Sequence, residues 1–188
     1  MSRFLSGNES AVLSAAADRL IPASGEHPGG AALGVVEYVD RLLGAFSSDP
    51  PLIFAGGPFS GRFGGDASFN RFLPLSPREE LAWRTRIEGS RGLPQREFNG
   101  PVRGWQEIYR EGIAALGPDF CDVDGDEQDR RLAAQRELRN VFYAHACEGA
   151  YGAPEYGGNR DLEGWRVIGF PGDVQPRGYT DDEVTGRA

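Results

Sequence analysis

The sequence predicts an all-α domain with long ordered loops, and three observations carry that prediction. Apolar residues recur at helical spacing in five segments. Capping and stop signals bracket those segments, and no block of strands or internal repeat interrupts them. The composition agrees: 188 residues suffice for a single core without disulfides or metal, while 27 glycines and 13 prolines demand much irregular backbone. The expected organisation is one domain over 1–188, with a long aromatic-rich loop at 47–75 and an extended C-terminal tail at 173–188.

The first helix opens at Ser6 and Glu9, which have capping-box spacing. It carries Val12, Leu13, Ala16 and Leu20 on one face and stops at Pro22. A second runs from about Ala31 to Phe46, where Ala32, Val35, Val36, Val39, Leu43 and Phe46 form a buried stripe before Pro50 and Pro51. Ser76-Pro77-Arg78-Glu79 begins a third with cap, first-turn proline and third-position glutamate, and Leu81, Trp83 and Ile87 follow to about Glu88. The fourth, near Val102 to Leu116, aligns Val102, Trp105, Tyr109, Gly112 or Ile113, and Leu116, and ends at Gly117-Pro118. The fifth and longest runs from about Glu127 to Glu148. Ala134, Leu138, Val141, Phe142 and His145 line one side, and the pairs Asp126–Arg130 and Glu127–Arg131 have i, i+4 spacing.

Between the second and third helices, Ser47 to Leu75 is rich in glycine and proline yet holds Phe54, Phe59, Phe63, Phe69 and Phe72. That aromatic content argues against disorder. Two readings stay open: the rings plug the chain's own core, or some of them bury against a second protein.

Several function classes are excluded by composition. A net charge of −8 opposes nucleic acid and anionic membrane as partners. All twenty basic residues are arginine. Schiff-base chemistry and the lysine-dependent phosphate loop therefore have no ammonium to use. No run approaches the length of a membrane helix, and the N-terminus shows neither a twin arginine nor a signal-peptide pattern. The expected location is cytoplasmic, or outside the cytoplasm if a partner carries the export signal. Cys121 and Cys147 have no metal-ligand spacing, and burial as free thiols is the default expectation for them. Asp122 to Asp129 alternates carboxylates, but Glu127 and Ala133 occupy the positions where a calcium loop needs glycine and glutamate. An acidic helix N-terminus is the simpler reading.

His27 and His145 are the only imidazoles. His27 falls in a surface loop. His145 sits on an apolar helix face, where a hydrogen-bonded core histidine is a commoner finding than a catalyst.

The stretch from Tyr151 to Gly172, YGAPEYGGNRDLEGWRVIGFPG, is neither helix surface nor plain strand, and it offers Glu155, Asp161 and Glu163 as acids or bases. Its glycines permit a tight path. Tyr156, Trp165 and Phe170 can anchor that path on the core, while Asn159, Arg160 and Asp161 can satisfy loop amides and carbonyls. In its order of Pro154, Glu155, Tyr156, Gly157, Gly158, Asn159, Arg160, Asp161, Gly164, Trp165, Gly169, Phe170, Pro171 and Gly172 it resembles the C-terminal signature of the gluconate 2-dehydrogenase subunit 3 family. The likeness extends more loosely to ADRLIPAS, GVVEYVDRLL and YREGIAALG.

That resemblance implies a non-catalytic small subunit. Its partner would be a large FAD-dependent subunit of the glucose-methanol-choline type that oxidises a sugar, sugar acid or related alcohol, with a cytochrome subunit as a further partner. The chain itself would hold no cofactor and no metal. A partner-binding surface is then expected to include Phe54, Phe59, Phe63, Tyr156, Asn159, Arg160, Trp165 and Phe170. Two alternatives remain: a stand-alone ligand-binding protein or enzyme using Glu155, Asp161 or His145, and a homo-oligomeric scaffold.

Overall fold

The computed structural model describes residues 4–48, 51, 53 and 75–172. Phe54, Phe59 and Phe63, most of the aromatic-rich loop and the tail from 173 lie outside the described residues. Among the described residues the fold is all-α, with seven helices and a single isolated antiparallel bridge between Ser24 and His27. The helices are α1 (Gly7–Leu20), α2 (Val35–Leu43), α3 (Pro77–Glu88), α4 (Trp105–Leu116), α5 (Gly125–Ala134), α6 (Arg136–Tyr151) and α7 (Glu163–Val167).

The capping signals read from the sequence operate as written. The Ser6 hydroxyl accepts the Glu9 amide at 3.2 Å while the Glu9 carboxylate takes the Ser6 amide at 2.8 Å. Ser76 and Glu79 repeat the arrangement with Pro77 at the first helical position. Asp124 caps α5 by accepting the Glu127 amide at 2.8 Å, so the acidic run is a helix N-terminus.

Several helix boundaries differ from expectation: α2 stops at Leu43, short of Phe46, α6 runs on past Glu148 to Tyr151, and three further differences have a local reason. The second helix starts at Val35 instead of Ala31, because Gly34 adopts a left-handed φ of 84° and the Ala31 amide bonds to Asp18 instead. The fourth starts at Trp105, and Val102 precedes it, 41% exposed, with its amide held by the Ser90 hydroxyl at 2.6 Å. The predicted fifth helix is two, α5 and α6, separated at Gln135 (φ −92°, ψ 61°). The break has a packing logic. Leu132 and Leu138 are both buried, yet six positions on one unbroken helix would set them about 120° apart. It also leaves Ala134 exposed, against expectation. In α5, Arg131 pairs with Glu127 at 2.8 Å as the spacing suggested, whereas Arg130 reaches Glu127 and not Asp126.

Helices α2 and α6 are the closest pair, with α1 and α4 packed on them and α5 beside α1 and α6. Their inward faces, with Phe120 from the turn after α4, form the main core, which includes Leu13, Val39, Leu43, Tyr109, Leu138 and Phe142. A smaller core of Ala45, Ile53 and Ile87, with Leu42, Phe46, Leu75 and Trp83 around it, fastens α3 to the end of α2. Trp105 packs against both. Burial of these apolar surfaces is the main stabilising force, at roughly 25 cal/mol per Å² removed from water.

The two cysteines are free, but Cys121 is exposed and Cys147 partly so, which corrects the expectation that both are buried. The short turn after Gly117-Pro118 that carries Phe120 inward points the next residue outward.

Candidate functional site

The residues after α6 double back over its C-terminus and across the start of α2. Gly152 caps α6, a 3-10 turn follows at Pro154–Tyr156, and Asn159 then enters the interior with no exposed surface. Its amide donates to the Gly149 carbonyl at 2.6 Å, its side-chain Nδ2 to the Gly152 carbonyl at 2.9 Å, and its Oδ1 accepts the Trp165 amide at 3.4 Å. One buried amide side chain thus joins the end of α6 to α7. Such a group is stabilising only when its bonds are made; left unpaired it would cost roughly 1–3 kcal/mol.

Glycines set the spacing of this wrap. A Cβ on Gly158 would lie 1.9 Å from the Gly149 carbonyl oxygen, and one on Gly164 would lie 1.8 Å from that of Ala150. Only hydrogen fits at either position. Three neighbouring non-glycine residues, Asn159, Asp161 and Leu162, have φ of 47°, 55° and 62°. Left-handed backbone at a leucine is costly, and the surrounding contacts must hold it there.

Arg160 ties the wrap to α2: its amide donates to the Leu33 carbonyl at 3.0 Å, and its guanidinium to the Ala32 carbonyl at 3.1 Å and Glu37 at 2.8 Å. Trp165 is 6% exposed and donates its indole N–H to the Tyr151 carbonyl at 2.8 Å. Asp161 is exposed, and its carbonyl accepts from Arg166, which also pairs with Glu163.

Phe170 corrects the expectation that it anchors the path on the core. It is 44% exposed and stacks edge-on against Trp165 at 5.0 Å, and Ile168 beside it is 54% exposed. The structure therefore divides the expected surface residues. Asn159 and Trp165 lie beneath the surface and shape it, Tyr156 is half-buried, and Arg160 and Phe170 face solvent. Ile53, the described residue next to Phe54, sits in the smaller core at the far end of α2. A helix of nine residues separates it from the wrap, a rise of about 13 Å.

Beside the wrap is an open groove of about 340 Å³, lined by Leu20, Ile21, His27, Tyr143, Cys147, Tyr151 and Val167 among others. His27 is exposed, as its loop position suggested. Tyr143, 54% exposed, and Ile168 carry no sequence signal of surface apolarity, because helical periodicity does not say where a neighbouring loop stops.

His145 is 3% exposed on α6. Its Nδ1 is hydrogen-bonded to the fully buried Tyr109 hydroxyl at 3.0 Å. Burial holds the imidazole neutral, pushing its pKa down to about 4. Tyr38 packs on the same ring and donates its hydroxyl to Glu148 at 2.6 Å; burial and that carboxylate both push the phenol pKa up. Of the acids and bases considered from sequence, His145 is thus closed off inside the bundle, while Asp161 and Glu155 belong to the wrap. The Tyr38–Glu148 bond joins residues 110 positions apart, and no local pattern announces it.

Among the described residues no cluster of three or more histidine, cysteine or acidic side chains could hold a metal, and no helix is long and apolar enough to cross a membrane. The family described as Gluconate 2-dehydrogenase subunit 3 matches residues 7–172, from the start of α1 to the end of the wrap. No curated protein and no solved structure matches the chain.

Proposed function

Because the chain belongs to the gluconate 2-dehydrogenase subunit 3 family, we propose that it is the non-catalytic small subunit of an FAD-dependent dehydrogenase. The large subunit, of the glucose-methanol-choline type, holds the flavin and oxidises a sugar, sugar acid or related alcohol; this chain binds it, stabilises it and helps it mature. The single observation that supports this reading most is the family match across α1 to the wrap. The geometry is consistent with it. Buried hydrogen bonds and an ion pair fix a backbone path whose outer face presents Arg160, Ile168 and Phe170.

Co-expression of the chain with a large flavoprotein subunit, followed by affinity capture and flavin quantitation, tests the proposal. Co-purification is expected, with higher flavin content than the large subunit has alone. Phe170→Asp should reduce capture while leaving the helical content of the isolated chain unchanged. Trp165→Ala should damage stability and assembly together. A monodisperse chain that ignores every such subunit would refute the reading, and loss of activity in a normally assembled Trp165→Ala complex would return the wrap to the chemistry.

A further inference from the structure

A row of ring contacts runs through the bundle from half-buried Trp83 to half-buried Tyr38. Trp83 on α3 meets Trp105 on α4 edge to face, 6.3 Å between centroids. Trp105 meets His145 at 4.6 Å, Tyr109 stacks parallel to His145 at 5.9 Å, and Tyr38 lies edge-on to it at 6.5 Å. Two of the three tryptophans of the chain stand in this row, both half-buried, and they lead to a tyrosine with no solvent contact. At the inner end the Tyr109 phenol is hydrogen-bonded to the imidazole of His145; at the far end the Tyr38 phenol donates to the carboxylate of Glu148, an exposed residue.

We propose that this row is a hole-transfer relay, in which a one-electron oxidant of the radical class is reduced at the half-buried tryptophans and the vacancy comes to rest on Tyr109. The electrons and protons balance as follows. The radical takes one electron from Trp83 and leaves as its anion; Trp83 takes one from Trp105, and Trp105 takes one from Tyr109 across the His145 ring that both of them contact. As that electron departs, the O–H bond of Tyr109 breaks and its proton moves to Nδ1 of His145. The products are a neutral tyrosyl radical, an imidazolium and the reduced anion.

Electron tunnelling falls off exponentially with distance, so rings in near contact exchange electrons far faster than rings scattered over a fold. An oxidised phenol is a strong acid, and in a dry interior it needs a base already in place. His145 is that base, because burial keeps it unprotonated at neutral pH. The groups around it are the rings of Tyr109, Trp105 and Tyr38 and the carboxylate of Glu148, whose charge favours the imidazolium as it forms. This inference does not depend on the docking role proposed above.

Pulse radiolysis of the full chain with azide radicals tests it. The tryptophan-radical absorption should decay as the tyrosyl band grows, in a first-order step independent of protein concentration and slowed in deuterated water. Tyr109→Phe keeps the ring and removes the proton donor; the tryptophan radical should then persist and the first-order tyrosyl growth should vanish. His145→Gln keeps a hydrogen-bonding side chain but not the base, and should slow the step on the order of a hundredfold. Trp105→Phe, at a half-buried position, interrupts the row and should abolish the step even if Tyr109→Phe folds poorly. Growth of the tyrosyl band at the parent rate in Tyr109→Phe or in Trp105→Phe, with helical circular dichroism unchanged, would show that the rings are packing alone.

Discussion

The bundle core and the buried inner side of the C-terminal wrap are held by different physics. In the core, Leu13, Phe142 and Leu138 fill space with apolar volume, and their stabilisation scales with area removed from water. In the wrap, Gly158, Asn159 and Gly164 bring backbone against backbone, and Asn159, with one backbone and two side-chain hydrogen bonds, closes the path. The core should therefore suffer most from lost volume and tolerate swaps of similar size. The wrap should suffer from added volume, down to one methyl group.

The largest effect is expected from the core. Phe142 is fully buried and meets Tyr109 edge to face at 5.9 Å, so Phe142→Ala should cost about 4 kcal/mol in urea denaturation. Phe142→Leu should cost far less. Equal losses for the two would mean that ring geometry, not volume, stabilises the core.

The next effect belongs to a polar group inside that apolar region. His145 has its pKa depressed from 6.5 to about 4, so the unfolded chain binds the extra proton first as the pH falls. Its contribution is intact above the unfolded value, is lost between about pH 6.5 and pH 4, and is fully lost below that, for a total near 3 kcal/mol. The measurement is the denaturation midpoint as a function of pH in the parent and in His145→Gln. Parallel profiles over that window would show that His145 is not the titrating group.

A smaller change should follow in the wrap, with a different signature. Gly164→Ala puts a methyl where only 1.8 Å separates its carbon from the Ala150 carbonyl oxygen, and about 2 to 3 kcal/mol of destabilisation is expected. Hydrogen exchange should localise the loss to residues 152–172 while the amides of α2 and α6 stay protected. Protection lost uniformly across the chain would merge the two regions into one cooperative unit and undo the contrast.

Much of the bundle was legible in advance. Ser6–Glu9 and Ser76–Glu79 marked helix starts because a capping box is a local arrangement, complete within four residues. The stripe of Val35, Val36, Val39 and Leu43 located the core face of α2 for the same reason. The break at Gln135 was not legible. It carries no glycine or proline, and it exists because Leu132 and Leu138 must both reach one core. Of the wrap, the sequence signalled that glycine and asparagine serve a tight path, but not that Asn159 and Trp165 would be covered while Phe170 stays 44% exposed.

By itself, then, the sequence determined the helical class, the caps, the chemistry that an all-arginine acidic chain excludes, and, through its C-terminal signature, the family to which it belongs. These rest on neighbours along the chain or on composition, which need no third dimension. Only the tertiary structure decided that Arg160 bonds to Glu37, that Tyr38 bonds to Glu148, and that Tyr109 and His145 share a hydrogen bond inside a row of rings. Each of those pairs joins residues at least 36 positions apart. Their meeting follows from how whole helices pack, a global minimisation of exposed apolar surface that no short stretch of sequence encodes.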